Sequence, residues 1–209
     1  MEIKSYDEMN KEELEVFREI GSIGTGNAAT ALSSTLSAKV TMSLPEVNIM
    51  DYSTASSFLG GPEKIIAAVL VHISGDIEGI MLYLLDLNFI NFVLEKLNLQ
   101  PINSYEDLTD LDKSAISEVS NIIISSYARA VSQLAGISTR LSVPAMAINM
   151  LGGIMSVPMS EYGYVTDKIM MIGGNFVYEN QEMTSNLIML PDIKSLNFLL
   201  RKLGVICEQ

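Results

Sequence analysis

The sequence predicts an α+β protein, internally duplicated, in which long helices pack on a pseudo-two-fold antiparallel β-sheet. Three observations predict this. The first is a repeat, whose period defines an architecture before any single element does. Glu19 to Met50 (EIGSIGTGNAATALSSTLSAKVTMSLPEVNIM) aligns without gaps on Glu118 to Asn149 (EVSNIIISSYARAVSQLAGISTRLSVPAMAIN), each residue falling on one 99 positions later. The second is a later pair of blocks, Asp86 to Leu97 on Asp192 to Leu203, now 106 positions apart. Both open with an aspartate at an N-cap position and continue with helical apolar spacing. The third is a pair of hairpin patterns. Ile65 to Val71 and Ile77 to Leu85 flank Ser74-Gly75-Asp76, while Tyr164 to Phe176 and Met183 to Leu190 flank Glu179-Asn180-Gln181 in a longer version.

Taken in order, each half reads as a long helix, a strand ending in a proline-led segment, a less regular stretch, a hairpin and a closing helix. Strands joined as hairpins favour antiparallel pairing, and three strands per half are marginal alone, so the halves are expected to share one sheet. The chain then forms a single domain over residues 1–209, with pseudo-repeats spanning about 10–100 and about 108–206. Asn98 to Asp110, which contains Pro101 and Asn103, is the expected connection.

Composition narrows the function classes. With 209 residues, 48% of them hydrophobic, the chain can bury a core without a stapling metal or disulfide. One histidine, His72, and one cysteine, Cys207, are too few for a zinc site or an intrachain bridge, so no metal site is expected and a cytoplasmic location is the simplest reading. A net charge of −12 disfavours nucleic acid and anionic membranes as partners. No apolar run approaches the roughly 20 residues that cross a bilayer, and the acidic start lacks the pattern of a signal peptide. Thirteen methionines suit an adaptable binding surface or core filling, and their places inside apolar segments favour the core.

The second long helix is expected to begin near Asp110 or Asp112, either able to cap it, and to run to Gly136. Leu111, Ala115, Val119, Ile122, Ser126 and Ala130 form its expected apolar stripe. Ser114, Glu118 and Asn121 sit at i, i+4 and i+7, so at ~100° per residue they fall within roughly 60° on one polar face. A solvated surface is the ordinary meaning of such a trio. Here, however, a proline, Pro144, follows Asn121 after 22 residues, and the first half repeats the spacing as Glu15, Glu19, Ser22 and Pro45. Ser22 offers one hydroxyl where Asn121 offers an amide that both donates and accepts. Gly21, Gly24 and Gly26 lack the spacing of a nucleotide loop and suit close approach by another helix or a partner.

The pattern Ser/Asp-x-x-x-Glu-x-x-Asn, then 22 residues and a proline, is complete as Ser114, Glu118, Asn121 and Pro144. It resembles the active-site signature of the CheC, CheX and FliY phosphatases of bacterial and archaeal chemotaxis. The segment EIGSIGTGNAATALS resembles the family's first-helix pattern, and the resemblance covers essentially the whole chain, duplication included. Length favours the CheC type over shorter CheX-like members and over FliY-like members, which add a flagellar-switch domain.

That resemblance implies a phosphorylated CheY-like receiver as substrate, carrying an aspartyl phosphate beside a divalent metal, Mg by expectation, that the receiver holds. The chain itself would need no cofactor. Asn121 would hold the attacking water and Glu118 would pair with the receiver's lysine. Pro144 would shape the backbone near the helix, and Ser114 either assists docking or faces water. Glu15, Glu19, Ser22 and Pro45 would make a weak or silent first site. Many CheC-like proteins also bind the receptor deamidase CheD through the segment after the second proline, here Ala145 to Met155. Asn149 and Met150 are its candidate contacts, although an aspartate is common where Asn149 stands and core packing is an equal reading of the segment.

Overall fold

The computed structural model describes residues 2–162, 167–179 and 181–206; Cys207, and Tyr164 and Asn180 of the second hairpin, lie outside them. Both halves run through the same elements. A 3₁₀ turn (Tyr6–Glu8) is followed by α1 (Lys11–Thr35), β1 (Val40–Met42), β2 (Glu46–Asp51), α2 (Tyr52–Phe58), β3 (Ile65–Gly75), β4 (Gly79–Leu85) and α3 (Leu87–Lys96). A second 3₁₀ turn (Tyr105–Asp107) is followed by α4 (Asp110–Ala135), β5 (Thr139–Leu141), β6 (Ala145–Met150), α5 (Leu151–Tyr162), β7 (Lys168–Tyr178), β8 (Gln181–Pro191) and α6 (Ile193–Lys202).

The strands form one antiparallel sheet in the order β1-β7-β8-β4-β3-β5, with β2 also on β7 and β6 also on β3. The hairpins β3–β4 and β7–β8 are local and meet where β4 pairs with β8. The outer strands are exchanged: β1 and β2 of the first half lie on β7 of the second, and β5 and β6 of the second on β3 of the first. The duplicated α+β architecture with a shared sheet is thus the one expected.

Two details of the expected halves are corrected. Among the described residues each contributes four strands rather than three, because the proline-led segments are themselves strands, β2 and β6. The less regular stretches are helices, α2 and α5. Asp51 starts α2 by accepting from the Ser53 hydroxyl at 2.6 Å and the Thr54 N–H at 2.7 Å, and these bonds hold its carboxyl well below the usual carboxylate range.

Each outer strand carries a bulge. From Met42↔Phe176 to Glu46↔Gly173 the edge strand advances four residues while β7 advances three, and from Leu141↔Ile73 to Ala145↔Leu70 the same happens against β3. The extra residue falls within Ser-Leu-Pro in one half and Ser-Val-Pro in the other, where proline's missing N–H costs no ladder bond. The bulges are fastened alike. Ser43 donates its N–H to the Asn175 carbonyl (2.9 Å) and accepts at its hydroxyl from the Asn175 N–H (2.8 Å); Ser142 and His72 repeat both bonds at 2.9 and 3.0 Å.

The segment expected as the connection between the halves is itself fastened to the first half. Asn91 of α3 brackets Ile102, accepting its N–H at 2.8 Å and donating to its carbonyl at 2.9 Å, and the Tyr105 hydroxyl donates to the Leu85 carbonyl at 3.1 Å. Residues before α1 do the same to the other half: Asn197 of α6 brackets Ile3 at 2.8 and 2.7 Å, and the Tyr6 hydroxyl donates to the Pro191 carbonyl. Each half's lead-in is therefore fastened to the closing helix of its counterpart.

Helices α1 and α4 pack on one another. A Cβ added to Gly24 would lie 2.4 Å from Tyr127 Cδ1, so this glycine does permit the close helix approach, and Thr25 Oγ1 meets the Tyr127 hydroxyl at 2.9 Å. Gly21 instead faces Pro45, Val47 and Ile172, and Gly26 faces open space. Met81, Met155, Met170, Met171, Met183 and Met189 are buried, as their apolar context suggests. Among the described residues no helix is long and apolar enough to cross a membrane.

Candidate functional site

Helix α4 is capped by Thr109, not by Asp110 or Asp112. The Thr109 hydroxyl accepts the Asp112 N–H at 3.2 Å while the Asp112 carboxylate accepts the Thr109 N–H at 2.9 Å, a reciprocal box that needs the acid at the third helical position. At the other end Gly136, at φ 64°, takes the left-handed conformation expected of it. The buried surface is rotated from the predicted stripe. Ile116, Val119, Ser120, Ile123, Tyr127, Ala130 and Val131 are buried, whereas Leu111 is 65% exposed and Ile122 is half-buried. The reason is that α4 packs against both α1 and the sheet, and Tyr127 commits the helix to the first of these contacts.

This rotation leaves the polar face open. Ser114 and Glu118 are exposed and Asn121 is half-buried. Among the described residues none of the three side chains makes a hydrogen bond or ion pair, so a carboxylate and an amide one turn apart are presented with their bonding capacity unspent.

Pro144 belongs to a bulge that runs level with this part of α4. The Ser132 and Thr139 hydroxyls are 2.7 Å apart, and the Ser117 hydroxyl is 3.6 Å from the Met146 sulfur. Between these contacts the chain covers about 23 Å as strand and about 22 Å as helix, so β5 and β6 run alongside α4. Interpolation sets the bulge Ser142–Pro144 level with the stretch between Ser125 and Asn121. The first half agrees: Pro45 Cγ is 3.4 Å from a Cβ built on Gly21, the residue before Ser22.

The first face has the same frame with different chemistry. Glu19 and Ser22 are exposed, and Glu15 is taken up in an ion pair with Arg18. Glu15, Glu19, Ser22 and Pro45 are thus brought together as their counterparts are, with a hydroxyl in place of the amide.

The bulges also display a residue that no motif marks. Val143 is 87% exposed and Leu44 is 85% exposed, each just before its proline. The available signal was the coincidence of two apolar residues at equivalent positions in a turn-like context. Elsewhere, the segment Ala145 to Met155 divides: Leu151, Ile154 and Met155 are buried, while Asn149 is exposed with its Oδ1 accepting the Met150 N–H at 2.8 Å. Met150 (49% exposed) sits across from Ile65 (47% exposed), leaving a small apolar patch at that edge. His72 is exposed, its Nε2 3.4 Å from the Glu161 carboxylate. Among the described residues no group of three or more histidine, cysteine, aspartate or glutamate side chains is placed to hold a metal.

The chain is thus a duplicated α+β protein whose repeats exchange edge strands and whose long helices each carry a polar face level with a proline bulge. No protein-family model matches the chain. Over 203 residues it is 26% identical to the CheY-P phosphatase CheC of Bacillus subtilis (strain 168), covering 95% of this chain and 97% of that protein. Its fold is similar to that of Thermotoga maritima FliY (TM-score 0.72, 21% identity, 94% of this chain and 98% of that one). It is also similar to the middle domain of H. pylori FliM (TM-score 0.66, 13% identity, 93% and 99%) and to a CheC-like superfamily protein of Shewanella sp. PV-4 (TM-score 0.52, 11% identity, 88% and 99%). Along nearly its whole length the chain is thus similar in sequence to a CheC protein and in fold to FliY, FliM and CheC-like proteins.

Proposed function

We propose that this chain is a chemotaxis phosphatase that hydrolyses the aspartyl phosphate of a CheY-like response regulator in the cytoplasm. The observation that carries the reading is the unpartnered Glu118 and Asn121 on the exposed face of α4, level with the Pro144 bulge. Kinship with the B. subtilis CheY-P phosphatase supports it.

Phosphoryl transfer to water asks a second protein for position and charge complementarity more than for covalent chemistry. The Asn121 amide would hold a water in line with the acyl phosphate, its carbonyl oxygen accepting a hydrogen bond from the water and so steering the water's lone pair to phosphorus. Attack breaks the bond to the receiver's aspartate and releases inorganic phosphate. Glu118 cannot face the phosphoryl group, which would repel it, and instead would pair with a lysine of the receiver, fixing the helix in register. The divalent ion belongs to the substrate. The first face would bind or turn over a receiver poorly, since Ser22 has a shorter reach and no amide.

Phosphate release from a phosphorylated receiver tests this. Asn121→Ala should lose about 100-fold of the acceleration, the scale of a misplaced reactant, with the fold intact. Ser22→Ala should stay within about two-fold of the parent. Equal losses in both variants would refute a single working site on α4. The apolar pair Ile65 and Met150 at the sheet edge supports a second reading, an adaptor that binds CheD beside Asn149. Tight CheD binding with receiver lifetime unchanged would establish that reading in place of the first.

A further inference from the structure

The polar face of α4 continues beyond Asn121. Ser125, Arg129 and Ser132 follow on successive turns, Arg129 within roughly 20° of Glu118 around the helix axis. With Ser138 and Thr139 they line a pocket of about 330 Å³. Its shape comes from the helix end: Gly136 reverses the chain, Ile137 donates its N–H to the Ser132 carbonyl at 3.1 Å, and Thr139 is laid against Ser132. The wall therefore presents four hydroxyls and a guanidinium. Arg129 is exposed and, among the described residues, makes no ion pair or hydrogen bond. The carboxylate fastened to this wall, Asp76, accepts the Ser138 N–H at 2.8 Å. The matching helix positions of the first half are Gly26, Thr30 and Ser33, none of them a cation, while Lys39 and Val40 stand where Ser138 and Thr139 do, so no cation projects from α1 at the place of Arg129.

An unpaired arginine in a chain of net charge −12 asks for an anion from outside. A free phosphate would meet one cation at the negative end of a helix, a poor arrangement for a multivalent ion. A single carboxylate delivered by a protein already held at Glu118 and Asn121 needs no tight site, because its contact is effectively intramolecular. We propose that Arg129 and its hydroxyl pocket take an acidic side chain on the receiver's surface, a second anchor roughly 12 Å along α4 from Asn121. The inference rests on the phosphatase reading for the identity of the partner. It makes Arg129 a docking residue that confines productive binding to the second half.

The test titrates the full chain with a receiver held in its phosphorylated-like state by beryllium fluoride, and separately measures phosphate release. Arg129→Ala should raise Kd and KM roughly five-fold, as a lost charge pair at an interface does, with kcat unchanged. Arg129→Lys should recover part of this, Arg129→Glu should lose more, and Thr30→Ala should change nothing. Added salt should weaken the parent's binding more than that of Arg129→Ala. An unchanged KM with a lowered Tm would show that Arg129 only steadies the helix end, and the proposal would fall. Loss of inhibition by inorganic phosphate with KM intact would assign the pocket to a free anion, with the same result. If the parent binds receiver without releasing phosphate, the catalytic reading fails while the Kd series still decides Arg129; no binding by any variant defeats both.

Discussion

Tyr127 shows how one side chain can fix a helix and, through that, a site. Its buried hydroxyl meets Thr25, and burial pushes its phenol up to about 12, against about 10 for an unfolded tyrosine. The folded state therefore holds the proton where the unfolded chain releases it. Stability from this group is fully present below pH ~10 and declines as pH rises from ~10 toward ~12. Burial pushes Tyr83 up as well, which adds to the same slope. Denaturant titrations should show constant stability from Tyr127 up to pH ~10 and a fall above it, and Tyr127→Phe should flatten that fall while costing about 1 kcal/mol at neutral pH, because Thr25 loses its partner. An alkaline slope that is unchanged in the phenylalanine variant would contradict the assignment. Glu118 and Asn121 stand at the opposite extreme. With no internal partners, they can be changed at little cost to the fold, within about 0.5 kcal/mol.

At the level of elements, the contact between α1 and α4 depends on a missing side chain. The Tyr127 ring cannot retreat from a Cβ on Gly24, since it is 2% exposed and its hydroxyl is engaged by Thr25. Gly24→Ala should therefore destabilise by about 1–3 kcal/mol despite its better helix propensity. Gly26→Ala, which meets nothing within 4 Å, should stabilise by about 0.5–1 kcal/mol. Thermal melts of the two variants should move in opposite directions; a shared direction would mean that packing at Gly24 does not decide the outcome. The elements also differ in how far the sequence announces them. The hairpins and the closing helices are legible because alternation, turn residues and the Asp86 and Asp192 caps agree locally. Helix α5 is not, because Gly152, Gly153 and Pro158 all oppose a helix, and burial of Leu151, Ile154 and Met155 overrides them. The spacing of Ser114, Glu118, Asn121 and Pro144 can be read along the chain. The bulge cannot, since it exists only in the register between β5–β6 and a distant strand, and Val143 and Arg129 take their meaning from neighbours brought up by that register.

For the whole molecule, exchange between repeats is the organising fact. The strands β1 and β2 find their only sheet partner, among the described residues, in β7, and β5 and β6 find theirs in β3. Residues 1–98 or 99–209 alone would leave two outer strands and one lead-in without partners, and too little apolar surface covered for stability. Each fragment expressed by itself should lack a cooperative melt, and the two expressed together should form a soluble one-to-one complex with the parent's circular dichroism. A separately folded, monomeric fragment would contradict this account.

The paired bulges also bear on what the molecule avoids. An outer strand with a continuous row of free N–H and C=O groups invites a neighbouring copy to add on, and the addition can propagate into fibrils. Here both margins are broken midway by a proline and a kink, so neither offers a straight template. The same interruptions that frame the helix faces for a transient visitor should keep the protein from polymerising through its own borders.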